Sequence, residues 1–156
     1  LMNWSMDRLR SDLIEALGSI NGLPYATASA AQRNTWTVAN EDRILFGDSA
    51  SNYNATHATA LNAVTASMTM SAATLTLMKR IAKNADPHIR PTRVSNSQGR
   101  EYFVAFMNSF AFRDLKEDPV MAQANREARE RGVDTNPIFQ DGDLIYDGGS
   151  AREIPE

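Results

Sequence analysis

Residues 78–147 decide the fold and read MKRIAKNADPHIRPTRVSNSQGREYFVAFMNSFAFRDLKEDPVMAQANREARERGVDTNPIFQDGDLIYD. A helix should end at Asp86, because the residue before a proline avoids helical backbone angles. The unbroken apolar run 102–107 predicts a strand covered on both faces, which residues 92–95 could join as a hairpin across the turn 96–99. Ser109 should cap a short helix, and Asp118-Pro119 should begin another that Gly132 ends. With a last strand predicted at 144–146, the stretch indicates an α+β fold.

The residues before this stretch predict two amphipathic helices separated by weakly patterned chain. The first should begin at Ser5 and end at Gly18, with one buried face formed by Trp4, Met6, Leu9, Leu13, Ile14 and Leu17. The second should run over about 71–85 and could begin as early as Leu61. Its predicted buried stripe is Leu75, Met78, Ile81 and Ala82. Residues 25–60 predict irregular chain with at most one short strand at 43–46, and residues 49–59 predict its most flexible part.

Composition limits the function classes. The chain has 156 residues, enough for one domain with a real core. Its formal net charge of -3 argues against a dedicated nucleic-acid binder, which usually carries a basic excess. The absence of cysteine excludes a disulfide framework, a thiol nucleophile and a cysteine-ligated zinc site, and it fits manufacture in a reducing cytoplasm. No apolar run has the length of a membrane span.

The sequence offers no catalytic, cofactor or metal site. His57 and His88 are the two histidines, and no local motif supplies the carboxylate and nucleophile that a histidine base requires. We therefore interpret them as ordinary exposed residues. Carboxylates cluster at Asp141, Asp143 and Asp147, but their spacing departs from the calcium-loop pattern and suits tight turns around a short strand.

Six basic residues form a local patch, namely Lys79, Arg80, Lys83, Arg90, Arg93 and Arg100. Two interpretations stay open for this patch. It could contact nucleic-acid phosphates, or it could be a solvated face that pairs with acidic residues, including an acidic surface of a neighbouring subunit. The patch lacks interleaved aromatic residues for base stacking, which favours the second interpretation.

The order of four long patterns resembles one family. These patterns are RIAKNADPHIRPTRV, EYFVAFMNSFAFRDLKEDP, ANREARERG and NPIF, within about residues 68–146. Together they resemble the major capsid proteins of tailed bacteriophages, in the N-four-like branch of the Hong Kong 97-type coat-protein fold. The resemblance implies a spine helix packed on antiparallel strands, with axial and peripheral domain elements. It also implies a non-enzymatic structural subunit that forms hexamers and pentamers around double-stranded DNA, in a virion made in the bacterial host cytoplasm.

The resemblance also organises the chain as a single capsid-like domain over residues 1–156. We expect an N-terminal helix and turn at 1–24, irregular chain at 25–60, the family core at 61–147 and a tail or engineered junction at 148–156. The family's subunits are longer and carry an extended arm and a long loop. We therefore expect the 156-residue chain alone to be monomeric or weakly associated. The expected partners are copies of itself and, weakly, packaged DNA, with no membrane, cofactor or small-molecule substrate. The alternative function is a small module that binds nucleic acid through the basic patch.

Overall fold

A computed structural model of the chain describes residues 2–93, 101–130 and 144–153. The helices in these ranges are α1 (Met2–Leu17), α2 (Ala30–Ala39), α3 (His57–Asn62), α4 (Ala72–Asn84), α5 (Ser109–Glu117) and α6 (Pro119–Glu130). The strands are β1 (Ser19–Ile20), β2 (Leu23–Pro24), β3 (Thr92–Arg93), β4 (Glu101–Met107), β5 (Leu144–Tyr146) and β6 (Gly149–Glu153). The predicted mixture of helices and strands is confirmed.

A four-stranded sheet organises the second half of the chain, in the order β3-β4-β6-β5. β4 and β6 run parallel, with Phe103 opposite Gly149 and Met107 opposite Glu153, while the other two pairings are antiparallel. The predicted hairpin between residues 92–95 and 101–107 is confirmed where it is described, at 92–93 and 101–102. Its turn lies outside the described residues.

The prediction that residues 148–156 form a tail or junction is wrong for 149–153, since they are the inner strand β6. Ser150 and Ala151 are each 1% exposed. Such small residues have weak strand preference, and it is the neighbouring strands that give them their place in the sheet. The turn before β6 did carry a usable pattern, because Asp147-Gly148 has positive φ at both positions (47° and 72°), as a two-residue hairpin turn requires.

The main core lies where α5 and α6 pack against the sheet. It consists of Met107, Phe112, Leu115, Met121 and Ala151. Leu115 and Met121 are completely buried. Both helices begin with a side-chain cap, but the cap of α5 is Asn108, which accepts from the Ala111 N–H at 2.9 Å, and not Ser109 as predicted. The predicted Asp118 cap of α6 is confirmed, while Gly132 lies outside the described residues.

α4 begins after the cap Ser71 and ends at Asn84, as predicted. The earlier start at Leu61 is wrong, because α3 ends at Asn62 and nine residues of non-helical chain separate the two helices. The predicted stripe is only half-buried, with Met78 38% exposed. The reason is an open cleft between α4 and the sheet, described below.

The prediction that residues 25–60 are irregular is wrong for residues 30–39, 50–52 and 57–60, which are helical. α2 lies here, with a capping box in which Ser29 and Gln32 exchange side-chain and backbone hydrogen bonds. A short 3₁₀ helix (Ala50–Asn52) and the start of α3 occupy the segment predicted to be flexible. No strand forms at 43–46, where Phe46 instead inserts into the interior. The many Ala, Thr and Ser residues give little apolar periodicity, so the caps Ser29 and Ser49, rather than hydrophobic spacing, indicate α2 and the 3₁₀ helix.

Two predicted buried faces are exposed among the described residues. In β4, Phe106 is 63% exposed, so this strand is not covered on both faces. In α1 the apolar residues from Trp4 to Leu17 are exposed, including Leu9 at 64% and Leu17 at 71%. Trp4 also lies on the opposite side of α1 from Met6, because two positions span more than half a turn of an α-helix.

Candidate assembly surfaces

The exposed apolar stripe of α1 is formed by Met6, Leu9, Leu13 and Leu17, which are 59–71% exposed. Their spacing of three and four residues places them along one side of the helix. The other sides carry charges, including an Arg8–Asp12 ion pair with a nitrogen–oxygen distance of 3.1 Å. A soluble chain rarely leaves such a stripe uncovered, so the α1 stripe is a candidate contact surface.

A cleft of about 390 Å³ lies between α4 and the sheet. Leu75, Met78 and Ile81 line it from α4, and Phe103 and Ala105 line it from β4. Ser150 also lines the cleft, and its buried hydroxyl has no hydrogen-bond partner within the described part of the chain. The cleft explains why the stripe of α4 is only half-buried.

The amino end of α4 is held by the carboxylate of Asp118. One oxygen accepts the Ala72 N–H at 2.9 Å, and the other accepts the Val120 N–H at 2.8 Å and the Met121 N–H at 3.2 Å. Asp118 thus caps α6 and also the first turn of α4. The bond from Ala72 is the largest cause that lowers the pKa of Asp118, assisted by the bonds at the start of α6 and opposed by burial.

The middle of α4 is held by Lys79. Its ammonium group donates to the backbone carbonyl of Asp147 and forms an ion pair of 3.0 Å with the Asp147 carboxylate. The side chain of Lys79 is therefore only 22% exposed. The interaction ties α4 to the β5–β6 turn across the mouth of the cleft.

The carboxyl end of α4 is held by Asp42 and Arg43. Arg43 donates to the Asp86 carbonyl at 2.6 Å, while the Asp86 N–H donates to the Asp42 carboxylate at 2.7 Å. Asp42 and Arg43 also pair with each other at 3.0 Å. The hydrogen bond from Arg43, followed by that from Asp86, lowers the pKa of Asp42 to about 2. Three polar anchors therefore position α4 while its apolar side faces an open cleft.

The six predicted contact residues do not form one free basic patch. Lys79 pairs with Asp147, Arg93 pairs with Glu101 at 2.8 Å, and Arg100 lies outside the described residues. The remaining three are exposed and form no ion pair with the described part of the chain. We call them the basic surface, namely Arg80, Lys83 and Arg90.

The interpretation of His57 as an exposed residue is wrong, because it is 4% exposed. Its ring lies 5.6 Å from the rings of Tyr25 and Phe46, and its backbone N–H donates to Asn34 at 2.9 Å. Burial, followed by the charge of Arg33, lowers the pKa of His57. His88 is exposed, as predicted. The two histidines therefore occupy different environments, and His57 has the contacts of a core residue.

The predicted acidic cluster falls mostly outside the described residues, which include Asp147 but not Asp141 or Asp143. Within the described ranges, no three His, Asp or Glu side chains gather as metal ligands. No helix in those ranges combines the length and apolar character needed to cross a membrane.

A sequence model of the family described as "Phage capsid protein" matches residues 1–156. The chain belongs to the phage capsid protein family. Among solved structures, this capsid-family chain is similar to one from "Cyanophage Pam1 capsid asymmetric unit". The two share 52% sequence identity with a TM-score of 0.83, and the match covers 100% of this chain and 44% of the cyanophage chain. No curated protein matches.

These comparisons confirm the resemblance to phage major capsid proteins and support the expected function class of a structural capsid subunit. The α+β class is confirmed, and the structural match is consistent with the Hong Kong 97-type fold. The alternative of a nucleic-acid-binding module receives no support. The capsid chain spans less than half the length of the cyanophage relative.

Proposed function

We propose that this chain is the folded core of a coat subunit, which assembles with copies of itself into the icosahedral head of a phage. The observation that carries the proposal is the 52% identity, over the whole chain, to a chain of a cyanophage capsid asymmetric unit. The proposed location is the virion, after synthesis in the bacterial host cytoplasm. In the longer protein the proposed assemblies are hexamers and pentamers.

The chemistry of the surface supports a structural rather than a catalytic role. A shell is built from many repeated, modest contacts between identical subunits, and apolar area that is exposed on the free subunit can contribute to such contacts. The α1 stripe and Phe106 of β4 provide such area. The two histidines lie in different environments, since His57 is buried and His88 is exposed. This arrangement gives no support for acid–base chemistry by a pair of histidines.

Contact with packaged double-stranded DNA is proposed to be weak. The formal net charge of -3 repels DNA overall, while the basic surface offers only local attraction to phosphates. The same three cations could instead face an acidic surface of a neighbouring subunit. We place no base-specific recognition here.

Negative-stain electron microscopy of the longer coat protein that contains this chain tests this proposal, because the 156-residue chain alone is expected to be monomeric or weakly associated. Rings, tubes or shells built from a repeated unit are expected, with association that strengthens as the protein is concentrated. A longer protein that stays monomeric at every concentration, salt and pH would contradict a self-assembling role. A purified sample with reproducible turnover of a substrate, lost in His57→Gln or His88→Gln, would contradict the non-enzymatic role.

A further inference from the structure

We propose that Asn21, in the turn between β1 and β2, is a site of spontaneous deamidation in the folded protein. Asn21-Gly22 is the one Asn-Gly pair in the sequence. Both residues are exposed and have left-handed backbone angles, with φ of 51° and 79°. These angles are those of the two-residue hairpin turn that Asn-Gly favours. Asparagine is one of the thermolabile residues, and glycine after it has no side chain to obstruct attack on the amide.

The reaction requires only the turn itself and water. The backbone nitrogen of Gly22 forms a bond to Cγ of Asn21, and the side-chain amide leaves as ammonia with the proton that Gly22 gives up. The resulting five-membered succinimide then takes up water at either of its two carbonyl carbons. The product is aspartate or isoaspartate at position 21, and no oxidant, reductant or cofactor takes part.

The β1–β2 turn is open to this reaction. A Cβ placed on Gly22 would meet no atom within 4 Å, and the Asn21 side chain forms no hydrogen bond with the described part of the chain. The turn closes a ladder of only two residues on each side, Ser19–Ile20 against Leu23–Pro24. A two-stranded ladder of this kind is marginally stable, so the turn opens easily enough for the Gly22 nitrogen to reach Cγ.

The β5–β6 turn has the same backbone conformation and provides a comparison within the chain. Asp147-Gly148 also has positive φ at both positions, and aspartate before glycine forms the same succinimide by loss of water. Here, however, the Asp147 carboxylate is held in its 3.0 Å ion pair with Lys79. The Lys79 nitrogen also lies 3.7 Å from the place of a Cβ on Gly148, and the Gly148 carbonyl accepts the Phe103 N–H at 3.1 Å. Both residues of this turn are therefore restrained by contacts that the β1–β2 turn lacks within the described residues.

Deamidation changes the surface where α1 joins the rest of the fold. It replaces a neutral amide by a carboxyl group that is ionised at neutral pH, so the formal net charge of -3 becomes more negative by one unit. Isoaspartate also routes the backbone through the side chain and lengthens the turn by one atom. The pairing of Ile20 with Leu23 should then be lost, although Ile20 is only 2% exposed. The modification is thus a one-way change of charge and shape beside the α1 stripe.

Incubation of the purified, folded chain in mildly alkaline buffer tests the proposal. Tryptic peptide 11–33 contains Asn21 as its one asparagine, and peptide 101–113 contains Asn108 as its one asparagine. Asn108 is the matched internal control, because it is also exposed but its side-chain oxygen accepts the Ala111 N–H at 2.9 Å. Mass spectrometry measures the loss of each amide, and isoaspartyl methyltransferase labelling with peptide fragmentation locates isoaspartate. Circular dichroism checks that the chain stays folded during the incubation.

The expected result is progressive loss of the amide at position 21, with isoaspartate and aspartate as products, while Asn108 and Asp147 stay unchanged. The rate should rise with pH, because the Gly22 nitrogen must give up its proton. The aged chain should shift by one charge unit in native electrophoresis, to the mobility of freshly prepared Asn21→Asp. Asn21→Gln should show no such shift, because its longer side chain does not form the five-membered ring.

Several outcomes would overturn the proposal. An Asn21 that stays intact in the folded chain but converts after unfolding in urea would show that the hairpin protects the amide. Conversion that appears only together with loss of the circular dichroism signal would show that the unfolded chain reacts. Equal rates at Asn21 and Asn108 would show that the turn does not select the site. Isoaspartate that forms at Asp147 as fast as at position 21 would reject the protection assigned to Lys79, and with it the selectivity.

Discussion

Removal of the Asp118 carboxylate should destabilise the fold more than any other single change at the surface of α4 or α6. Asp118 accepts three backbone N–H groups, one from Ala72 at the start of α4 and two from Val120 and Met121 in α6. Loss of a helix cap costs about 1 kcal/mol, and loss of a hydrogen bond to a charged group costs about 1.5–3 kcal/mol. Because Asp118 is partly exposed, water replaces some of the hydrogen bonds that the N–H groups lose. We therefore expect Asp118→Ala to lower the free energy of unfolding by about 2–3 kcal/mol.

Two further variants separate the two helices. In Asp118→Asn the amide oxygen can still cap α6, but the amide nitrogen cannot accept the Ala72 N–H, so about half of the loss should remain. Glu117→Ala is the matched control, since Glu117 is the exposed neighbouring acid and should change the free energy of unfolding by less than about 0.5 kcal/mol. Urea unfolding followed by circular dichroism measures all three variants.

The pH dependence provides a second test of Asp118. Folding lowers its pKa, so its stabilisation is present above the ordinary value of 3.8 and is lost as the pH falls through the folded value. The difference between the wild-type chain and Asp118→Asn should therefore shrink in acid. Equal unfolding free energies for Asp118→Ala and Glu117→Ala at neutral pH would refute the argument that this carboxylate holds both helices.

Three further predictions concern the core and the basic surface. Folding lowers the pKa of His57, so the unfolded chain binds the proton first as the pH falls. The free energy of unfolding should therefore decrease as the pH drops below the ordinary value of 6.5. In urea titrations His57→Gln should lose this pH dependence, and the exposed control His88→Gln should retain it. Leu115→Ala should lower the free energy of unfolding by about 2–5 kcal/mol in thermal or urea unfolding, because Leu115 is completely buried. The control Val120→Ala should lower it far less, because Val120 is 53% exposed. Similar losses for the two variants would contradict the assigned core. DNA binding through the three cations of the basic surface should weaken about fortyfold between 50 and 200 mM salt in a fluorescence titration, and tight binding that resists salt would contradict weak electrostatic contact.

The sequence predicted the ends of helices correctly where a capping residue or a proline flanks an apolar pattern. Ser71 and Asp86-Pro87 delimit α4 correctly, and Asp118-Pro119 begins α6 as predicted, because capping and proline geometry are local effects. The family patterns also identified the coat-protein class correctly. Local capping patterns therefore predicted the helix boundaries, and the order of the longer patterns along the chain predicted the family.

The sequence was less informative where tertiary contacts decide. β6 has the composition Gly-Ser-Ala, and only pairing with β4 and β5 makes it a strand. His57 lies in a polar segment, yet Tyr25 and Phe46 bury it from distant parts of the chain. The stripe of α1 has the spacing of a buried face, but periodicity does not specify whether the cover belongs to the same chain. No short-range pattern reports such contacts.

The candidate surfaces were only partly predictable for the same reason. The basic patch was visible as charge, but the ion pair of Lys79 with Asp147 joins residues that are 68 positions apart. That pairing removes Lys79 from any free contact surface. The cleft depends on the distance between α4 and β4. Polar contacts with distant parts of the chain hold α4 at that distance from the sheet at three points, and the spacing of apolar residues does not indicate them.

Sedimentation velocity of the purified chain, from micromolar to millimolar concentration, measures its self-association. Of the two outcomes that the sequence left open for the 156-residue chain alone, a monomer or weak association, the exposed α1 stripe favours weak association. We therefore expect a weight-average sedimentation coefficient that rises with concentration, because the modest contacts of a shell subunit populate oligomers only when copies are abundant. A single monomeric boundary with an unchanged coefficient through the whole series would contradict the claim that this chain carries assembly contacts of a coat protein.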